Sequence, residues 1–270
     1  MSSENPTSIF LQTADTGSFT MNYVRFGSGK RNLIILPGLS VQSILLSANA
    51  VESVFKAFEK DFSIYLFDRR NELPPVYTIY EMAEDMASVL KTLGLEHNCI
   101  FGASQGGMMT LCLAAKHPNL VEKICLGSAS AKVTDFQIFD QWISFAKAGN
   151  AKDLYLSFGK AVYPKDVFEK SKAMLEAAAK TVTRAELDRF VILANAIRDF
   201  DATRLVPQIS CPALIIGSSD DKVLGPDASP AIAQYMNNNP SVKLVMYNGY
   251  GHAVYDTAPD FLAQLKNFIG

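Results

Sequence analysis

Cys99-Ile100-Phe101-Gly102-Ala103-Ser104-Gln105-Gly106-Gly107 begins as a short apolar run, breaks into Gly-x-Ser-x-Gly, and is followed by Met108-Met109-Thr110-Leu111-Cys112-Leu113-Ala114-Ala115-Lys116. The first part reads as a strand and residues 108–116 as a helix that stops before His117-Pro118, as a proline requires of the residue ahead of it. A strand that turns into a helix within so few residues forces the central residue into a strained backbone and pushes its side chain out of the turn. Ser104 is therefore the candidate nucleophile. The pentapeptide alone is equally compatible with a glycine-rich strand-to-helix loop, so the rest of the chain has to supply partners.

The 270 residues can form one large α/β domain or two small ones, and with 49% hydrophobic residues the chain is not disordered. A net charge of −2 gives no reason to expect nucleic acid or an anionic membrane as partner. Met1-Ser2-Ser3-Glu4-Asn5-Pro6 lacks the basic-then-apolar pattern of a signal peptide, and no apolar run is long enough to span a membrane. The expectation is a cytoplasmic protein. Cys99, Cys112, Cys125 and Cys211 fall in apolar contexts without C-x-x-C spacing, which reads as buried free thiols with no disulfide and no metal.

Outward from the elbow, residues 8–13 and 19–26 read as two strands around Asp15-Thr16-Gly17-Ser18. Asn32-Leu33-Ile34-Ile35-Leu36 is apolar without alternation, as suits a parallel strand buried on both faces, and stops at Pro37-Gly38. Helix 47–60, strand 62–67, helix 80–93 with the capping box Thr78-Ile79-Tyr80-Glu81, the elbow, and strand 121–126 then alternate. This rhythm implies a mostly parallel sheet with helices on both faces. It is interrupted between Ser128 and Leu205 by about four helices, with capping boxes at Thr134-Asp135-Phe136-Gln137 and Thr183-Arg184-Ala185-Glu186 and a break at Tyr163-Pro164. The sheet pattern resumes with 211–217, helix 226–236, strand 242–247, and a last helix over 259–268 with Pro259 in its first turn. The organisation expected is a core of residues 1–130 and 206–270 with an inserted helical cap of residues 131–205.

A serine hydroxyl needs a base, and the base needs a carboxylate to hold its tautomer. The chain has three histidines. His97 lies in a polar loop and His117 at a helix end, where a surface or capping role is the simpler reading. His252, in Asn248-Gly249-Tyr250-Gly251-His252-Ala253, follows a strand's carboxyl end, where open sheets place their ligands. Between Ser104 and His252, Ser218-Ser219-Asp220-Asp221-Lys222-Val223 also follows a strand, and one of its aspartates is the candidate acid.

The order Ser, Asp, His, with Gly-x-Ser-x-Gly after a buried strand, resembles the α/β-hydrolase family over nearly the whole chain. The resemblance implies a mostly parallel eight-stranded sheet flanked by helices, and it accounts for the insertion as a cap after the strand that follows the nucleophile helix. The family's acid motif, Gly-x-Asp-Asp-x-Val-Val, selects Asp221 when laid on residues 218–224 without gaps; a one-residue shift would select Asp220. The family's oxyanion hole implies two backbone donors, the Gln105 N–H and, after the first parallel strand, the Leu39 N–H. Relatives show His-Gly where this chain has Pro37-Gly38. A second departure follows Asp68, where a glycine-rich loop is replaced by Arg69-Arg70-Asn71-Glu72-Leu73-Pro74-Pro75. Arg69 or Arg70 facing the site would attract an acidic substrate, whereas pairing with Asp68 or Glu72 at the surface is the simpler expectation. Phe136, Phe139, Trp142, Phe145, Tyr155 and Phe158 of the insertion either bury its own apolar face or line an acyl pocket.

The reading is a serine esterase that forms an acyl-enzyme on a small, largely apolar ester, without cofactor, as a monomer or homo-oligomer. A thioester, a carbon–carbon bond beside a carbonyl, or an amino-terminal proline peptide would suit the same triad. Two readings of other classes stand beside it: a non-catalytic small-molecule binder on the same fold, and a nucleotide-dependent enzyme, which the absence of G-x-G-x-x-G after the first parallel strand disfavours.

Overall fold

The computed structural model describes residues 10–270. The expectations for residues 1–6, and the first two residues of the strand expected at 8–13, lie outside that range. The chain forms β1 (Leu11–Asp15), β2 (Thr20–Phe26), β3 (Arg31–Leu36), α1 (Ala48–Phe55), β4 (Phe62–Arg70), α2 (Ile79–Thr92), β5 (Asn98–Ala103), α3 (Gln105–Lys116) and β6 (Val121–Gly127). Four consecutive helices follow, α4 (Gln137–Lys147), α5 (Ala151–Val162), α6 (Lys165–Ala179) and α7 (Arg184–Asn195). The core then closes with β7 (Ala213–Ser218), α8 (Ala228–Tyr235), β8 (Val242–Tyr247), α9 (Val254–Thr257) and α10 (Phe261–Ile269).

The eight strands make one sheet in the order β1-β2-β4-β3-β5-β6-β7-β8. β1 and β2 run antiparallel to their neighbours, and every pair from β4 to β8 is parallel. The lack of alternation in the central strands has a direct cause: both sheet faces are covered. Leu33, Ile35 and Phe101 pack with Phe55 of α1 and Phe261 of α10, whereas Ile34, Leu36 and Ile100 pack with Met82 and Met86 of α2 and Met108 of α3. From β3 the chain moves to one side to build β4 and then returns to the other to build β5. The crevice between the ends of β3 and β5 is thus a topological switch point, the place where such sheets bind ligands.

Two local expectations are corrected. The capping box at Thr134 does not form; Asp135 accepts the Gln137 N–H at 2.9 Å as an Asx turn, so α4 starts at Gln137 with Phe136 as its cap. Pro259 does not open α10, whose cap is Asp260. Ala258, held extended ahead of the proline, separates α10 from the short α9. The boxes at Thr78 and Thr183 do form, each with reciprocal side-chain and backbone bonds to Glu81 and Glu186.

The segments that lead into α4 and out of α7 pair with each other beside the sheet. Lys132 and Asp201 form an isolated antiparallel bridge with an ion pair of 2.7 Å, and the Ala202 N–H donates to the Ala131 carbonyl at 2.7 Å.

Candidate active site

Ser104 joins β5 to α3 with φ 49° and ψ −115°, a backbone that a side-chain-bearing residue adopts only under surrounding constraint. Its N–H donates to the Gly127 carbonyl at the end of neighbouring β6, at 2.8 Å, which fixes the elbow to the sheet. α3 also packs very closely on β3. A Cβ on Gly106 would stand 2.0 Å from the Leu36 carbonyl oxygen, so only glycine fits there.

The carboxyl ends of β5, β7 and β8 bring three residues together. Ser104 Oγ lies 2.9 Å from His252 Nε2, and His252 Nδ1 lies 2.8 Å from Asp221 Oδ2. All three side chains are buried. Asp221 Oδ1 accepts the Val223 and Leu224 N–H groups at 2.8 and 3.0 Å, leaving Oδ2 for the imidazole. Because a carboxylate can only accept, Nδ1 is the protonated nitrogen and Nε2 carries the lone pair toward Ser104.

Asp221, not Asp220, therefore faces His252. Asp220 fastens the loop that carries the histidine: its two oxygens accept the Gly249 and Gly251 N–H groups at 2.8 and 3.1 Å, and the Ser218 hydroxyl donates to it as well. Burial would raise the Asp220 carboxyl, but these hydrogen bonds outweigh burial and hold it below its ordinary value. His97 sits at a left-handed turn, and His117 contacts Glu84 at 2.8 Å on the surface, so neither approaches Ser104.

Leu39 and Gln105 flank the serine from two sides. A Cβ on Gly38 would come within 3.2 Å of Ser104 Cβ, which shows how closely the loop after β3 passes the nucleophile. Gln105 is the first residue of α3, and neither its N–H nor that of Leu39 donates to a protein acceptor among the described residues.

The loop is braced by a residue whose role the sequence did not reveal. Arg69 is buried, and its Nη2 donates to both the Pro37 carbonyl and the Gln105 side-chain oxygen, each at 2.9 Å. Gln105 Nε2 in turn donates to the Leu193 carbonyl of α7 at 2.7 Å. Desolvation lowers the guanidinium to about 10, which leaves it charged at neutral pH. The expectation of surface pairing thus fails for Arg69, which grips both candidate oxyanion segments. Neighbouring Asp68 pairs instead with Arg189 of α7 at 2.6 Å. Arg70 does lie at the surface, but it donates to the Glu72 carbonyl and approaches Asp85 at 3.6 Å rather than pairing with the Glu72 carboxylate. The pleat explains the split, since adjacent strand residues point to opposite faces.

Ser104 and His252 open onto a cavity of about 370 Å³. Its walls come from the loop after β3, from Val51, Val54 and Phe55 of α1, from Phe139 and Trp142 of α4, and from Phe158 of α5. Of the other aromatics expected there, Tyr155 donates to the Gln42 side chain at 3.0 Å and Phe136 packs on Phe139, so both bind these helices together or to the core. Tyr163, Tyr255 and Asp256 also line the cavity, and sequence reasoning did not single them out. The available signal was that Tyr255 and Asp256 closely follow His252.

Cys99, Cys112 and Cys125 are buried free thiols and Cys211 is half-buried; desolvation pushes Cys112 up to about 12. Among the described residues no three His, Cys, Asp or Glu side chains are grouped to hold a metal, and no helix is long and apolar enough to cross a membrane.

Comparison with known proteins agrees with this architecture. Residues 33–265 match the model of the alpha/beta hydrolase family. The curated protein named "Putative carbamate hydrolase RutD" from Caulobacter sp. (strain K31) is 25% identical, with 86% of this chain and 92% of that protein covered. Among solved structures, MGS-M2, an alpha/beta hydrolase enzyme from a Medee basin deep-sea metagenome library, superposes with a TM-score of 0.82 at 25% identity over 97% of both chains. The enol-lactonase from Burkholderia xenovorans LB400 gives 0.81 at 19% identity, covering 96% of this chain and 99% of that one. The chain belongs to the alpha/beta hydrolase family, and its class of activity is that of a hydrolase.

Proposed function

We propose that the protein is a serine hydrolase that cleaves small, largely apolar carboxylic esters through an acyl-enzyme. The observation that carries this reading is the continuous contact from Asp221 through His252 to Ser104 at the floor of an apolar cavity. Ser104 Oγ attacks the ester carbonyl carbon while its proton passes to His252 Nε2, and Asp221 stabilises the imidazolium. The Leu39 and Gln105 N–H groups, unclaimed by other acceptors, receive the oxyanion. Collapse of the tetrahedral intermediate breaks the ester bond, and His252 returns the proton to the departing alkoxide. His252 then deprotonates a water that attacks the acyl carbon, which regenerates Ser104.

Both cavity size and lining favour an acyl or alkyl group of several carbons. A volume of about 370 Å³ falls in the range of small-molecule sites and exceeds what a bare carbamate would fill. Hydrolysis of p-nitrophenyl acyl esters and covalent labelling by a fluorophosphonate test the reading. Ser104→Ala is expected to lose on the order of 10³–10⁶ in kcat and all labelling. Retained turnover would overturn the nucleophile assignment, and an unlabelled native protein would point to a binding protein on the same fold.

A further inference from the structure

Three contacts from one face of α7 end on the segments that flank Ser104. Glu186, Arg189 and Leu193 stand at i, i+3 and i+7 of the helix and so share one side of it. Glu186 Oε1 accepts the Gln42 side-chain N–H at 3.2 Å, from the same loop after β3 that carries Leu39. Arg189 Nη2 donates to Asp68 Oδ1 at 2.6 Å, and that oxygen also accepts the Arg69 backbone N–H at 2.8 Å. The Leu193 carbonyl accepts Gln105 Nε2 at 2.7 Å. The buried Gln105 carboxamide is thus pinned at both ends, its oxygen by Arg69 and its nitrogen by α7.

As a source of stability this network is poor. Arg69 Nε and Arg189 Nη1 are both buried with no hydrogen-bond partner among the described residues, and a buried N–H left unmet costs stability. An apolar seam of similar volume holds two elements together as well or better. What the polar contacts add is a fixed register between α7 and the groups beside the nucleophile. We propose that Arg189 is a positioning residue for the reaction: acting through Asp68 and Arg69, and in parallel with the Leu193 carbonyl, it sets where the Gln105 and Leu39 N–H groups stand relative to Ser104. The proposal rests on the serine-hydrolase reading for the role of those two N–H groups. A misplacement of about 1 Å costs on the order of 10²-fold in rate, so a partial loosening of α7 is enough to be measured.

Arg189→Met, Arg189→Lys, Arg69→Met and the double variant Arg189→Met/Arg69→Met are compared in the full-length protein. The readouts are kcat and KM on p-nitrophenyl butyrate and the rate at which a fluorophosphonate labels Ser104, all taken well below each variant's melting midpoint. Arg189→Met is expected to lower kcat and the labelling rate about tenfold at unchanged KM. Arg189→Lys, which keeps a charge for Asp68 without the guanidinium fork, should lose about threefold, and it carries the test if Arg189→Met does not fold. The double variant should fall no further than Arg69→Met alone, because the two residues act in one chain. Native rates in either Arg189 variant, a loss confined to KM, or losses that multiply in the double variant overturn the proposal and leave the serine hydrolase standing. Labelling without ester turnover removes only the ester as substrate, and the labelling rates then decide for or against Arg189 in the same way. A native protein that is neither labelled nor active overturns the hydrolase reading and the role of Arg189 with it.

Discussion

The strand ends that hold Ser104, Asp221 and His252 and the walls that enclose the cavity are built on different principles. At the strand ends, position is set by backbone: the strained Ser104, a glycine that lets α3 touch β3, and N–H groups that clamp Asp220 and Asp221. Along the walls, position is set by side chains from α1, α4, α5 and α9 packing against one another. A backbone clash cannot relax, whereas a wall can be reshaped one side chain at a time. The first region should therefore fail as a unit and the second should change selectivity gradually.

Gly106→Val attacks the first region most directly. With a Cβ 2.0 Å from the Leu36 carbonyl oxygen, α3 must leave β3, and a loss of about 4 kcal/mol or more is expected by denaturant titration. Normal stability and activity in this variant would refute the idea that backbone contact fixes the elbow.

Arg69→Met leaves the triad untouched but removes the donor shared by the Pro37 carbonyl and the Gln105 side chain. If Arg69 aligns the oxyanion donors, kcat falls about 10- to 100-fold with little change in KM. Arg69→Lys should recover only part of the loss, because a point ammonium does not reproduce the guanidinium fork. A loss confined to KM would instead place Arg69 in substrate binding.

Phe158→Ala acts on the wall. The variant should shift the preferred p-nitrophenyl ester to a longer acyl chain, and its kcat/KM for that ester should exceed the native value by several-fold. An unchanged chain-length profile would mean that this part of the wall does not meet the acyl group.

The smallest effect is expected where the Lys132 and Asp201 segments pair. The Asp201 carboxyl is held down to about 2, first by the Lys132 hydrogen bond and then by Thr203. A depressed carboxyl stabilises the fold above its unfolded value of about 4. That contribution fades as pH falls through about 2. Asp201→Asn should therefore weaken the protein slightly at neutral pH, with the difference from native vanishing in acid and shrinking in high salt, because the pair is exposed. Thermal melts across pH and salt check both trends, and kcat should not change.

The elbow, the buried parallel strands and the Ser-Asp-His order were legible because glycine spacing, apolar runs and strand-end position are local or ordinal signals. Helix starts were legible where a threonine and a glutamate cap each other, as at Thr78 and Thr183, and misleading at Thr134, where Asp135 competes for the backbone. Arg69 and Arg70 look alike in the chain, and only the side of β4 on which each falls separates a buried brace from a surface charge. Asp256 was silent for another reason: α9 has four residues, too few for a periodicity.

The sequence by itself determined the fold class and which residues could act as nucleophile, base and acid, since these depend on residue type and order along strands. The family's acid motif pointed to Asp221, with Asp220 one residue away; tertiary structure alone decided that Arg69 grips the Pro37 and Gln105 segments and that Asp256 lies in the cavity wall. Each of these depends on which side of a loop, strand or short helix faces inward, and that is set by packing between segments far apart in the chain.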